Sequence, residues 1–159
     1  GGTCWASLYA ADVALSDDMK RWLGSLSAVH EGVFARRQLR KQGVAQTEDP
    51  LIHVGSAVHP VVLHHPVTGR PFLYVNRGFT TNILGMSYAD SQRLLAYLFD
   101  HIELPEFQVR FRWRPGSLAM WDNRVTQHYA VLDYGTAARR MHRVTVVADR
   151  RVDRRERAA

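Results

Sequence analysis

The sequence predicts a mainly β domain with flanking helices, a sandwich or barrel whose connections carry the helical turns. Three observations predict it. Residues 107–114 alternate strictly, with Phe107, Val109, Phe111 and Trp113 set against Gln108, Arg110, Arg112 and Arg114, the period of a strand with one face buried. Two β-branched and aromatic runs, 58–66 and 72–76, flank Thr68-Gly69-Arg70, the pattern of a hairpin. Helical character is confined to two stretches, which leaves many short strands with helices between them.

The elements follow in order. Residues 7–26 read as two short helices. Ala6, Leu8, Ala10, Ala11, Val13 and Leu15 favour the first. Ser16-Asp17-Asp18 caps the second, with acids in its first turn and bases after them. Residues 31–50 are polar, lack clean periodicity and end at Glu48-Asp49-Pro50, a loop or lid by composition. After the hairpin, Ser87-Tyr88-Ala89-Asp90 reads as a capping box. The helix it opens sets Leu94, Leu95, Leu98 and Phe99 on one face. Pro105 follows that helix, and Pro115-Gly116 turns the chain after the alternating strand. Two more strands are predicted, at 118–121 and 141–148.

The bulk numbers exclude some classes. The 159 residues amount to one domain, and 46% apolar with 23% charged residues is an ordinary globular balance. No apolar run approaches the roughly 20 residues that span a bilayer. The single cysteine, Cys4, forms no internal disulfide, which agrees with a reducing, cytoplasmic setting. The net charge of +6 is largely local. Arg36, Arg37, Arg40 and Lys41 form one block, and the tail 150–159 carries five arginines and is expected to be disordered. A basic nucleic-acid-binding domain is an alternative reading, but the aromatic residues of 107–114 alternate away from its arginines and cannot share a face with them. The chain opens at Gly1-Gly2-Thr3-Cys4-Trp5 without an initiator methionine and reads as starting mid-protein.

The stretch Trp121-Asp122-Asn123-Arg124-Val125-Thr126-Gln127-His128-Tyr129 carries the chemistry, with Arg139 and Arg143 downstream in Arg139-Arg140-Met141-His142-Arg143. A histidine is a metal ligand through either ring nitrogen. An arginine suits a carboxylate because its planar fork donates parallel hydrogen bonds. In an extended strand Arg139 and Arg143 would point the same way, roughly 13 Å apart. Two cations on one inner face call for an anionic partner. Read alone, these residues keep their plain alternatives: a structural histidine, arginines paired with surface acids, a core Phe79. Asp122 is expected to support its loop by hydrogen bonds, and Trp121 to be core. His64 and His65, being adjacent, point to opposite faces of a strand and share no metal easily. His101-Ile102-Glu103 is expected to be a helix end.

Together, Gly1-Gly2-Thr3, the stretch ending at His128, Arg139 and Arg143 resemble the C-terminal signature of the TauD/TfdA family of iron(II)- and 2-oxoglutarate-dependent dioxygenases. The resemblance covers residues 1 to about 148 and is densest from 107 to 146. It implies part of a double-stranded β-helix, or jelly roll, spanning 1–149. It also implies a 2-His-1-carboxylate iron site, which leaves open positions for cosubstrate and oxygen. His128 matches the distal histidine, Thr3 and Arg139 the residues that hold 2-oxoglutarate, and Arg143 and Phe79 those that face a small anionic substrate. The reaction implied is hydroxylation of taurine, an alkyl sulfonate or an alkyl sulfate with O2, giving succinate and CO2. Self-association is a family habit too, with no interface readable here. Two departures stand out. The acidic residue usual between the second glycine and the threonine is absent. The His-x-Asp pair that supplies the other two ligands is also absent, so the chain alone is expected to fold poorly and to be inactive. A jelly-roll half kept as a non-catalytic binding module is the second alternative.

Overall fold

A computed structural model describes residues 1–32, 55–136 and 140–146. The predicted lid lies mostly outside these residues, as do the basic tail and Arg139.

The chain opens with a strand that sequence patterning left unassigned, β1 (Gly2–Ser7). It is the centre of a three-stranded antiparallel sheet, between β7 (Gln108–Arg112) and β8 (Thr126–Val131). A Cβ on Gly2 would stand 3.1 Å from the Phe111 carbonyl, so a side chain there would push β7 back by a few tenths of an ångström.

Ser7 ends β1 and caps α1 (Leu8–Val13), its hydroxyl accepting from the Ala10 N–H. Ser16 does the same for α2 (Asp17–Gly24) through Met19. Both helices agree with the predicted pair. A second sheet has β2 (Ser27–Glu31) at its centre, flanked by β3 (Ser56–Pro60) and β6 (Thr80–Ile83), all antiparallel.

The predicted hairpin is present but shorter. Its strands are β4 (Val62–His64) and β5 (Pro71–Leu73), and Gly69 takes the left-handed conformation in the turn with φ of 69°. Residues 58–60 belong instead to β3, because the chain bends at Val61, whose N–H donates to Leu26 and whose carbonyl accepts from Tyr74. Helix α3 (Tyr88–Ile102) starts at the capping serine: Ser87 accepts from the Asp90 N–H and donates to its carboxylate. Leu94, Leu95, Leu98 and Ile102 are its buried face. A turn of 3-10 helix, Pro105–Phe107, leads into β7.

These elements close one apolar core. Leu23, Val61, Leu73, Val75, Ile83, Leu95, Leu98 and Ile102 are all but fully buried in it. The first sheet is different. Val109, Leu118, Met120 and Leu132 are largely exposed, so β7 is extended as predicted but its apolar face is open. Two predicted strands are corrected. Residues 118–121 and 141–146 form no strand among the described residues. Alternation makes a strand only where a neighbour supplies ladder bonds, and neither segment has such a partner among the described residues.

Candidate active site

The register of β1 and β8 places the site. Trp5 is opposite His128 and Thr3 is opposite Ala130. Cross-strand partners share a face, so Thr3, Trp5, His128 and Ala130 project to one side. Thr3 and Trp5 are also opposite Phe111 and Val109 of β7, which adds those side chains to the same face. Gln127 points the other way and donates to the Val75 carbonyl, anchoring β8 to the core side.

An aromatic cluster builds this face. The Trp5 ring lies 6.1 Å from Phe111, 6.2 Å from Trp113 and 5.2 Å from Trp121. Trp113 donates its indole N–H to the Thr3 hydroxyl at 2.8 Å, and Thr3 is buried. The His128 ring lies 5.4 Å from Trp121. Burial of the ring, and secondly the nearby charge of Arg143, hold the His128 imidazole below its ordinary pKa, which keeps it neutral and able to ligate at neutral pH. A pocket of about 620 Å³ adjoins this face, with Trp5, Val109, Phe111, Leu118, Met120 and Trp121 among its walls.

The structure thus brings together Thr3, His128 and, through its charge, Arg143. Phe79 is elsewhere. It lies in the turn before β6, half exposed, with its carbonyl accepting from the Glu31 N–H at 2.8 Å. Arg143 lies in an exposed irregular segment, and Arg139 lies outside the described residues. Trp5, Phe111 and Trp113 were missed as site residues. The signal was available: Thr3 and Trp5 are two apart, as are Phe111 and Trp113, and period-two spacing puts each pair on one face.

Asp122 supports its loop as expected. It accepts from the Arg124 backbone N–H at 3.0 Å, from the Arg124 guanidinium at 2.9 and 2.8 Å, and from His65 at 2.9 Å. The Arg124 bonds hold its carboxyl well below the usual range. His64 is exposed and His65 buried, which fits their opposite faces. His101 ends α3 and bonds the Ala11 carbonyl at 2.8 Å, while Glu103 pairs with Arg77. That triplet is structural. The arginines of β7 lie on the face opposite Phe111, and Arg110 pairs with Asp133 at 2.6 Å.

The described residues do not by themselves fit an iron centre. Among them, no three His, Cys, Asp or Glu side chains stand together as a metal site. His128 supplies one imidazole, and iron(II) held on a facial triad needs two further protein ligands.

Comparison with known proteins agrees with the fold and the motif. The model of the taurine catabolism dioxygenase TauD, TfdA family matches residues 1–145. An alpha-ketoglutarate-dependent sulfate ester dioxygenase of Pseudomonas putida is 40% identical over 154 residues, covering 94% of this chain and 51% of that protein. An alkylsulfatase of Acinetobacter baylyi is 32% identical, over 94% of this chain and 48% of its own. The crystal structure of a taurine dioxygenase from Burkholderia xenovorans superposes with a TM-score of 0.65 at 35% identity, over 80% of this chain and 39% of that one. The chain therefore spans about half the length of these curated relatives. The architecture is mainly β with flanking helices, part of a jelly roll. With a family match running nearly end to end, the chain belongs to the TauD/TfdA dioxygenase family.

Proposed function

We propose that this chain is the C-terminal portion of an iron(II)- and 2-oxoglutarate-dependent dioxygenase that hydroxylates a small organic sulfate ester or sulfonate. The observation that carries the reading is the shared face of Thr3 and His128 at the centre of one sheet, with the charge of Arg143 beside the imidazole. His128 is the one iron ligand this portion contributes, and the neutral imidazole is the form that ligates. The Thr3 hydroxyl, which accepts from the Trp113 indole N–H, would donate to a carboxylate oxygen of the cosubstrate. Arg139 would supply the charge for that carboxylate and Arg143 the charge for the substrate anion. Phe79, in the turn before β6, stands outside the face that Thr3 and His128 share. The exposed apolar side chains around the pocket fit a surface that the rest of such a protein covers.

Bound iron would supply the oxygen chemistry. The residues here bind, orient and exclude water. The names of the relatives favour sulfur oxyanions, and the arginine chemistry agrees. The alternative of a binding module keeps the same residues without turnover.

The test is to read the coding sequence upstream of Gly1, express the whole protein, and measure succinate from 2-oxoglutarate with iron(II) and either hexyl sulfate or taurine. Succinate formation that depends on the sulfur compound and is abolished in His128→Ala is the expected result. A reading frame without His-x-Asp, or succinate formation indifferent to His128, would overturn the oxygenase reading in favour of the binding module.

A further inference from the structure

We infer that His65 is a positioning residue for the loop that presents His128. The ring has a defined tautomer. Its Nδ1 accepts from the backbone N–H groups of Val67 and Thr68, both at 3.2 Å. Backbone amides only donate, so Nδ1 carries the lone pair and the proton is on Nε2. That N–H donates to Asp122 at 2.9 Å. The His65 backbone takes part too, its N–H donating to Arg70 and its carbonyl accepting from Gly69. One buried side chain thus organises the β4–β5 turn with one nitrogen and grips a distant loop with the other.

The grip reaches His128 by two short routes. Trp121, adjacent to Asp122, touches the His128 ring at 5.4 Å and Trp5 at 5.2 Å. Val125 donates to the Asp122 carbonyl at 3.3 Å, accepts from the Leu8 N–H at 3.0 Å and is buried, immediately before β8 begins. The loop 121–125 is therefore tied to the hairpin at one end and to α1 at the other. Releasing Asp122 frees the end that carries Trp121. A histidine ligand whose ring is held by packing loses less freedom on binding than a mobile one.

Two isosteric substitutions separate the functions of the ring. His65→Asn keeps an acceptor near the Nδ1 position and loses the donor to Asp122. His65→Gln keeps a donor near the Nε2 position and loses the acceptor for the turn. The readouts, on the full chain without metal or cosubstrate, are amide exchange and the ring proton resonances of His128 and Trp121. In His65→Asn the Val125 amide is expected to exchange roughly tenfold faster, as for loss of one hydrogen bond to a charged group, and the His128 resonances to shift. In His65→Gln the Val67 and Thr68 amides are expected to exchange faster while Val125 and His128 stay near wild type. The inference is overturned if His65→Asn leaves Val125 and His128 unchanged, or if His65→Gln disturbs His128 equally. Should His65→Asn fail to fold, Asp122→Asn read the same way decides: unchanged His128 resonances overturn the inference, and shifted ones support it. The functional weight of this positioning rests on His128 being a metal ligand. The two readings fail separately, because these resonances need no iron and the succinate assay needs no variant of His65.

Discussion

The two three-stranded sheets among the described residues are built to different ends. Around β2, the hairpin and α3, large apolar side chains are almost wholly buried, with Leu98 and Leu73 at 0% exposure. Around β1, β7 and β8, Val109 is 61% exposed, Leu118 88% and Met120 93%. Yet Thr3 and His128 belong to the second region. Stability and candidate chemistry are thus segregated. The closed half holds the chain together, and the open half presents a face shaped by aromatic contacts instead of by enclosure. Asp122 and Val125 bridge the two through His65 and Leu8, and Gln127 does so through the Val75 carbonyl.

The largest expected effect breaks the closed half. Leu98→Ala removes a fully buried side chain from the α3 face and is expected to cost about 2–5 kcal/mol, by lost transfer energy and the cavity left behind. Denaturant unfolding monitored by circular dichroism measures it. A cost under about 1 kcal/mol would show a core that collapses around the gap, and would erase the contrast between the halves.

Next is the pH limb set by His30. Burial, and secondly His59, push its imidazole down to about 4 from an ordinary 6.5. Its Nδ1 is 3.2 Å from the Thr80 hydroxyl, and Tyr74 packs at 5.3 Å. Between those pH values the unfolded chain takes a proton that the folded chain refuses. The contribution is therefore fully present above pH 6.5, declines as pH falls, and is lost by about pH 4. The full loss amounts to roughly 3 kcal/mol at most. Thermal melts between pH 7 and 4 check the slope, and His30→Phe is expected to flatten it. An unchanged limb in that variant would move the effect to another group.

A smaller effect belongs to the cap of α3. Ser87→Ala removes the hydroxyl that accepts from the Asp90 N–H and is expected to cost about 1 kcal/mol. The same unfolding assay reads it. No change would show that water or the Asp90 side chain replaces the cap.

That cap was legible in sequence, and so were both early helices, the hairpin turn at Gly69 and β7. Each carries local chemistry: a capping serine, a turn glycine, a strict alternation. The strands β1 and β2 were not legible, because short strands in the middle of a sheet owe their form to neighbours far along the chain. Their partners are β7, β8, β3 and β6, and no local period announces them. Conversely, residues 118–121 and 141–146 carry strand-like composition without a ladder partner among the described residues. In the site, the motif ending at His128 named the histidine, and the resemblance named Thr3. The aromatic cluster was legible only in pieces: period-two spacing pairs Trp5 with Thr3 and Trp113 with Phe111, but the register alone joins the pairs. The role of His65 was not legible. A histidine near a turn gives no sign that its ring N–H donates to Asp122, 57 residues away.

The smallest expected effect sharpens the comparison from the open side. Met120 is 93% exposed on the rim of the pocket, so Met120→Ala removes surface that water already covers. Its cost to the stability of this chain is expected to be within about 0.5 kcal/mol. The Leu98 variant and the Met120 variant delete side chains of similar size, so burial alone separates them. If Met120→Ala costs as much as Leu98→Ala, the open face is covered in solution, either by a second copy of the chain or by residues outside those described. Dilution then tells these apart: only a second copy makes the melting temperature depend on concentration. If the cost stays small, the face is open, and the aromatic cluster keeps its shape through its own ring contacts.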